Sequence, residues 1–169
     1  MGVPATSFSK SSDRALLVYS STTRHPPTHV KAVSWLRYLP DKQDFDLKKG
    51  FVTKWIGADE KEAKALEDGE RFRALSVVPG SYALQSIITL KDGKMRRIHA
   101  KQSTQVINLE AGRAYFLNDI VFKWQMKNVG DRPDHKVIRR DLTKWLQIKT
   151  EYKIEKLLQS RPTINIINR

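Results

Sequence analysis

Two glycine-containing turns constrain this chain most, because each opens an apolar run of strand length. The first run is Val77-Val78-Pro79-Gly80-Ser81-Tyr82-Ala83-Leu84, and the second extends from Glu110 to Ile120. Pro79 fixes φ, and Gly80 supplies the positive φ that a type II turn requires at its next position. Ala111-Gly112 can satisfy the same requirement. Both turns predict that the chain reverses direction and enters antiparallel strands.

Other short apolar runs, separated by turn residues, extend this pattern. Asp92-Gly93 is the strongest hairpin signal, since this pair tolerates the positive φ values of a tight primed turn. Strands are predicted over residues 14–20, 30–39, 51–56, 71–78, 81–90, 95–104 with its continuation over 105–109, and 113–125, and residues 58–69 are expected to form a short helix or an ordered loop. A parallel α/β sheet would need crossover helices of roughly ten residues or more. The sequence therefore predicts a mainly β fold, an antiparallel β-sandwich of about seven strands with a C-terminal α-helix.

Changes in composition divide the chain into three predicted segments. Residues 1–13 are small and Ser-rich without periodicity, which is typical of a flexible tether. Residues 14–125 are expected to form the β-sandwich domain. In residues 126–169, apolar positions recur at helical spacing from Ile138 to Leu146, after a plausible cap at Asp134. This last segment is predicted to be a basic helix followed by a tail.

The charge and the cysteine count narrow the classes of partner and chemistry. The chain has 169 residues, with 31 Lys and Arg against 18 Asp and Glu, a formal net charge of +13. Such a charge attracts polyanions, which include nucleic acid, anionic lipid, polysaccharide and acidic protein surfaces. The chain has no Cys, which excludes disulfides, thiolate nucleophiles and Cys-based metal sites. It also lacks the run of about 18 apolar residues that a transmembrane helix needs.

The residue types that carry catalysis do not form a recognisable pattern. His25 and His29 have the spacing of two metal ligands on one helix face, but Pro26 and Pro27 exclude a helix there. There is no Gly-flanked Ser of a nucleophile elbow, no Gly-rich phosphate loop and no evident carboxylate pair. We therefore expect no catalytic, cofactor or metal site, and a protein that is not an enzyme.

Two sets of residues are candidates for binding a partner. Lys136, Arg140 and Lys144 recur every four residues and predict a basic stripe on the C-terminal helix, away from its apolar side. Ile164 and Ile166 belong to a β-prone tail that could add an edge strand or bind a neighbouring subunit. The alternative is a polyanion-binding sheet face with Trp35 or Trp55 nearby, which would contain Arg71, Arg73, Arg96, Arg97 and Lys101. The cations of the helix stripe and those of the sheet face also have the simpler explanation of an ordinary solvated face.

The two turn motifs resemble a known bacterial family. Pro79-Gly80-Ser81-Tyr82 and the later Gly112-Arg113-Ala114-Tyr115, followed by Ile120, are similar to the Pro-Gly-x-Tyr and Gly-x-x-Tyr-x-x-x-x-Ile motifs of lipoprotein domains of unknown function. Those domains have a fold like prealbumin and the carboxypeptidase regulatory domains. The resemblance covers residues 14–124 and implies a periplasmic, lipid-anchored, non-catalytic module. It implies no active site, and the basic helix and apolar tail depart from the family pattern.

These observations lead to two functional expectations. The first is an envelope-associated protein-binding or assembly module, a lipoprotein component of a larger machine such as a secretion system, with envelope proteins or further copies of itself as partners. In that case Met1 replaces the lipid-bearing Cys that begins a mature bacterial lipoprotein; the alternative at this end is an ordinary disordered N-terminus. The second expectation is a cytoplasmic nucleic-acid-binding protein. The reading frame upstream of Gly2 would discriminate between these compartments.

Overall fold

The computed structural model describes residues 2–20, 28–54, 72–91, 93–99, 103–117, 135–159 and 163–166. Within these residues the chain forms two β-sheets and one α-helix, which confirms the mainly β sandwich with a C-terminal helix. Strands β1 to β11 are Gly2–Pro4, Ala15–Ser20, Thr28–Leu39, Asp44–Lys54, Phe72–Val77, Gly80–Lys91, Lys94–His99, Ser103–Leu109, Ala114–Leu117, Leu157–Gln159 and Thr163–Ile166, and helix α1 is His135–Ile148. The expected helix or loop at 58–69 lies outside the described residues.

The strands are distributed over two sheets that we call sheet I and sheet II. Sheet I has the order β1-β5-β2-β9-β10, and sheet II has the order β11-β8-β6-β3-β4 with β7 paired to β6. Most pairs are antiparallel, as predicted, but β2 pairs with β9 in parallel and β9 pairs with β10 in parallel. Sheet I is therefore mixed. Parallel neighbours need a long connection, and here the chain between β2 and β9 passes through sheet II.

The main core lies between the sheets. Its largest fully buried side chains are Trp35 and Tyr82, and the rest of the cluster is Ala15, Leu17, Tyr19, Val33, Phe51, Leu75, Val77, Leu84, Ile87, Ile107, Leu109, Tyr115 and Leu117. Leu16 and Val18 alternate with the core residues of β2 and are buried on the opposite face of sheet I. This explains why residues 15–19 are apolar throughout: both faces of this strand are covered.

Helix α1 covers the outer face of sheet I. Leu142 and Trp145 are buried there in a second apolar cluster with Phe72 and Phe116. The Trp145 ring centroid lies 5.7 Å from that of Phe72. The predicted boundary at residue 126 therefore does not separate two independently packed parts, because the helix packs against the outer face of sheet I.

The N-terminal segment differs from the expected tether of residues 1–13. Gly2–Pro4 is strand β1, antiparallel to β5, and Phe8 is buried in the cluster beneath α1. The Lys153 N–H donates to the Phe8 carbonyl over 2.9 Å. Burial of one aromatic side chain and backbone pairing with distant segments hold this polar stretch, and neither is visible in its composition.

The C-terminal tail joins both sheets. Strand β10 pairs in parallel with β9 of sheet I, and strand β11 pairs antiparallel with β8 of sheet II. Ile164 and Ile166 therefore lie in an edge strand of their own chain, the first of the two alternatives for this tail. The segment after the helix completes the sandwich on both layers.

Strand β4 is longer than predicted. It begins at Asp44, whereas the sequence predicts a strand that begins only at residue 51. Its register with β3 shifts between Leu36, which pairs with Gly50, and Arg37, which pairs with Asp46. Residues 47–49 are the resulting insertion, and Leu47 at its start is exposed. Cross-strand pairing with β3 outweighs the low strand propensity of these polar residues.

Candidate functional site

The Pro79-Gly80 turn is fastened by the tyrosine that follows it. The Tyr82 hydroxyl donates to the Val78 carbonyl over 2.6 Å. Its ring is buried in the core and makes an edge contact with Phe51 at 4.9 Å between centroids. Tyr82 therefore connects the turn backbone to the interior of the sandwich.

Arg37 supports the same turn from strand β3. Its Nη1 donates to the Pro79 carbonyl over 2.6 Å and to the Tyr82 hydroxyl over 3.3 Å. Its Cζ lies 5.3 Å from the centroid of the Tyr82 ring, within the range of a cation–π contact. The Pro79 carbonyl and the Tyr82 hydroxyl of the first motif are thus both hydrogen-bonded to neighbouring groups of the protein itself.

The second turn is built in a similar way. Gly112 has φ of 69° and donates its N–H to the Arg14 carbonyl over 3.0 Å. The Tyr115 hydroxyl accepts a hydrogen bond from the Glu110 N–H over 3.0 Å. Burial raises the pKa of the Tyr115 phenol above its ordinary value. Both motif tyrosines therefore fasten the turns that precede them.

Helix α1 presents part of the predicted basic stripe on its exposed side. Arg140 and Lys144 are exposed, whereas Leu142 and Trp145 are buried against sheet I. Lys136 lies one turn earlier in the same helix, and its side chain is outside the described residues. The structure thus places two of the three stripe cations in a row on a face directed away from the sandwich.

The described arginines of the predicted polyanion-binding set do not meet on one face. Arg73 lies in β5 of sheet I, opposite Tyr19. Arg96 and Arg97 lie in β7 of sheet II, and as consecutive strand residues they point to opposite faces. Arg71 and Lys101 lie outside the described residues. Of the two tryptophans expected near these cations, Trp35 is only 1% exposed and offers no surface for a base to stack on, and Trp55 lies outside the described residues.

The histidines and carboxylates form no metal centre in the part of the chain that the structure describes. No group of three or more His, Asp or Glu side chains there could hold a metal ion. His99 is exposed in β7, and His25 lies outside the described residues.

A cleft of about 210 Å³ lies between the N-terminal segment, the Gly112 turn and the chain that follows α1. We call it the basic cleft. Its charged lining residues are Lys10, Arg113, Lys153, Glu155 and Lys156, and its apolar lining residues are Phe8, Ala114, Ile154 and Leu158. Lys10 and Glu155 form an exposed ion pair with 2.9 Å between Nζ and Oε1.

A second cleft, of about 190 Å³, lies where α1 meets the edge of sheet I. It is lined by the aromatic residues Tyr19, Phe72, Trp145 and Tyr152, together with Arg73 and Lys149. The Tyr152 hydroxyl donates to the Ala5 carbonyl over 2.7 Å. Burial, followed by the charge of Glu151, raises the pKa of this phenol. The hydroxyl thus has a structural role in holding the N-terminal segment.

The sequence pattern did not reveal the basic cleft. Lys10 and Glu155 are 145 positions apart, and Arg113 follows a turn in the middle of the chain. Spacing rules report residues that share one helix face or one strand face, so they cannot bring these segments together. The excess of cations in the composition was the available signal.

Comparison with models of protein families, with characterised proteins and with solved structures finds no match. The resemblance to bacterial lipoprotein domains therefore stays a prediction. Among the residues that the structure describes, no helix has the length and apolar character to cross a membrane.

Proposed function

We propose that this protein is a non-catalytic binding or assembly module of the bacterial cell envelope, and that it docks on an acidic protein surface through the exposed face of α1. The observation that carries the proposal is the division of this helix into two sides. Leu142 and Trp145 attach it to sheet I, and Arg140 and Lys144 stand on the side that remains exposed. A rigidly attached helix with a cationic face can present its charges to a partner without first having to order itself.

The turn motifs support a non-catalytic role. In enzymes, polar side chains beside a turn are often directed toward a substrate. Here the Tyr82 hydroxyl, the Arg37 guanidinium and the Tyr115 hydroxyl bond to the backbone of their own turns. The most distinctive residues of the sequence are thereby accounted for by the scaffold.

The envelope location rests on the resemblance of the two turn motifs to those of lipoprotein domains. It is tested by the native reading frame upstream of Gly2. A signal peptide that ends in Cys at the position of Met1 is the expected result. A native start codon at Met1 with no signal peptide would contradict the envelope location.

The nucleic-acid alternative receives no support from the positions of the described arginines. Arg73 belongs to one sheet, Arg96 and Arg97 belong to the other, and the last two alternate between faces. Binding to single strands needs a continuous basic groove with exposed aromatic rings. We therefore do not propose this function.

Docking through α1 is tested by photo-crosslinking in the bacterium that produces the protein. A photoreactive amino acid is placed at Lys144 in one variant and at Lys48, in the β4 insertion, in a matched variant. We expect position 144 to give a discrete envelope-protein adduct, or a self-adduct, that position 48 does not give. Adding Arg140→Glu should reduce the yield, because charge reversal turns attraction to an acidic surface into repulsion.

Two crosslinking results would overturn docking through α1. Equal adducts from positions 144 and 48, or an adduct at 144 that Arg140→Glu does not change, would show that the helix face is not the docking surface. Sedimentation velocity of the purified protein at low and high salt then separates self-assembly from binding to another protein, since screening weakens a charge-driven contact.

A further inference from the structure

The lining of the basic cleft has an excess of positive charge. Its lining holds the four cations Lys10, Arg113, Lys153 and Lys156 against the single carboxylate of Glu155. Three segments that are distant in sequence supply them: the N-terminal segment, the Gly112 turn and the chain between α1 and β10. Like charges brought together by folding repel one another, so their convergence favours a bound anion.

The cations differ in how they are neutralised. Lys10 pairs with Glu155 within the cleft, and Arg113 pairs with Glu110 with 2.8 Å between Nε and Oε2. Among the described residues, no carboxylate lies in ion-pair contact with Lys153 or Lys156. These two lysines are the cations that an incoming anion can neutralise without displacing a side chain.

The size and position of the cleft limit what can occupy it. Its volume of about 210 Å³ is below the roughly 300–1,000 Å³ of sites for drug-sized ligands. Phe8 and Ala114 are buried at its apolar lining, which fixes the N-terminal segment and strand β9 beside the charges. A small group with more than one negative charge fits both the volume and the charge excess.

We propose that the basic cleft binds a phosphate group, either as the free ion or as the headgroup of an anionic phospholipid. Lysine binds phosphate as a mobile point charge. A divalent phosphate balances the charge of these two lysines, which have no ion-pair partner among the described residues, whereas a monovalent carboxylate balances the charge of only one. This site lies beside the 153–158 segment and uses none of the α1 cations, so it stands independently of docking through the helix.

Glu155 has a definite role in this site. Its carboxylate holds Lys10 in the absence of an anion and repels a phosphate that enters the same cleft. The Glu155→Gln substitution removes that repulsion and frees Lys10 for the ligand. Phosphate affinity is therefore expected to rise when an acidic residue of the cleft is neutralised, which a purely structural ion pair would not produce.

The site is tested by titration calorimetry of the full chain with inorganic phosphate, in a buffer free of other polyvalent anions. The Lys153→Ala/Lys156→Ala variant should bind phosphate at least about tenfold more weakly, because charge-assisted contacts are lost. The control is Lys48→Ala/Lys49→Ala, which removes the same charge from the β4 insertion. Acetate serves as the monovalent comparison, and thermal melts confirm that each variant is folded.

A second arm identifies the source of the phosphate. Sedimentation with vesicles of phosphatidylcholine, with and without phosphatidic acid, follows lipid binding of the same variants. Binding of inorganic phosphate that depends on Lys153 and Lys156 supports the free ion. Binding only to phosphatidic acid vesicles, with the same dependence, supports a headgroup.

Three results would overturn the proposal: no binding of either probe, an equal loss in the Lys48→Ala/Lys49→Ala control, or acetate binding as tight as phosphate. An affinity that Glu155→Gln lowers would also contradict the assigned geometry. None of these measurements depends on the protein partner of α1. A negative result for phosphate binding in the basic cleft is therefore distinguishable from a negative result for docking through the helix.

Discussion

The guanidinium of Arg37 occupies the space that a side chain at Gly80 would need. A Cβ added at Gly80 would collide with all three terminal atoms of Arg37, and the glycine has φ of 143°. The position therefore requires glycine for two reasons, its backbone conformation and the closeness of a cation that itself holds the turn. The Pro-Gly-x-Tyr motif and Arg37, which lies 42 positions before Pro79 in the sequence, form one structural unit.

Replacing Gly80 tests this relationship. Gly93 is the matched control, because it has φ of 71° and a Cβ added there meets nothing within 4 Å. Gly93→Ala is expected to lower the free energy of unfolding by about 1 kcal/mol through backbone strain alone. Gly80→Ala should cost about 3 kcal/mol, because Arg37 must also move and release the Pro79 carbonyl. Urea unfolding measures both, and equal losses would show that Arg37 does not constrain the turn.

The attachment of α1 depends on one aromatic residue. Trp145 is 6% exposed and contacts both Phe72 and Tyr152 with 5.7 Å between ring centroids. Trp145→Ala should destabilise the fold by about 3–5 kcal/mol, as expected for a large buried aromatic side chain. Its exposed neighbour Lys144 is the control, and Lys144→Ala should change stability by less than about 0.5 kcal/mol. A small effect of Trp145→Ala would mean that the helix is not held by this cluster.

Strand β10 of the tail is expected to stabilise sheet I, and strand β11 is expected to stabilise sheet II. A chain that ends after residue 162 lacks β11, and one that ends after residue 156 lacks β10 as well. The second truncated chain should be much less stable, because one side of β9 loses its strand partner and becomes a sheet edge. It also lacks Leu158, which packs against the main core. Urea midpoints and m-values compare the two chains with the full one. Equal stability of all three would contradict a structural role for the tail.

Stability should depend on the protonation of Tyr115. Burial raises the pKa of this phenol in the folded state above the unfolded value of about 10. The folded chain then retains a proton that the unfolded chain has lost, so this contribution is complete below about pH 10 and disappears as the pH rises through the folded pKa. Tyr115→Phe should cost about 1 kcal/mol at neutral pH, because the Glu110 N–H loses its acceptor.

The difference between the two chains is the decisive measurement. Chemical unfolding at several pH values should show that the advantage of the native chain over Tyr115→Phe shrinks above about pH 10. Tyr152, whose pKa burial also raises, is present in both chains and cancels in the difference. An advantage that stays constant through this range would show that the phenol does not titrate with unfolding.

Much of the fold could be predicted because local physics specifies it. The conformational demands of Pro79, Gly80 and Gly112 mark where strands begin, and helical spacing marks α1, which is found at His135–Ile148. The opposite directions of Arg96 and Arg97 could also have been recognised, since successive strand residues always alternate. That alternation is a property of the chain and needs no structure.

The candidate sites were harder to predict because they depend on contacts between distant segments. The basic cleft combines residues from both ends of the chain, and Arg37 binds a turn residue 42 positions later in the sequence. Likewise, the polar N-terminal segment is held by Phe8 and by backbone bonds to the chain after α1. No local pattern contains this information, since each contact depends on how the sheets pack.

Local residue patterns were sufficient to predict the class of structure: short strands separated by glycine turns, one amphipathic helix, and a strongly basic chain without cysteine chemistry. The parallel pairs β2–β9 and β9–β10, the place of the tail in both sheets, and the convergence of lysines beside Glu155 are visible only in the folded chain. This difference follows from the range of the interactions. Backbone propensity and hydrophobic periodicity act over a few residues, whereas strand partners and charge clusters are chosen by burial across the whole chain.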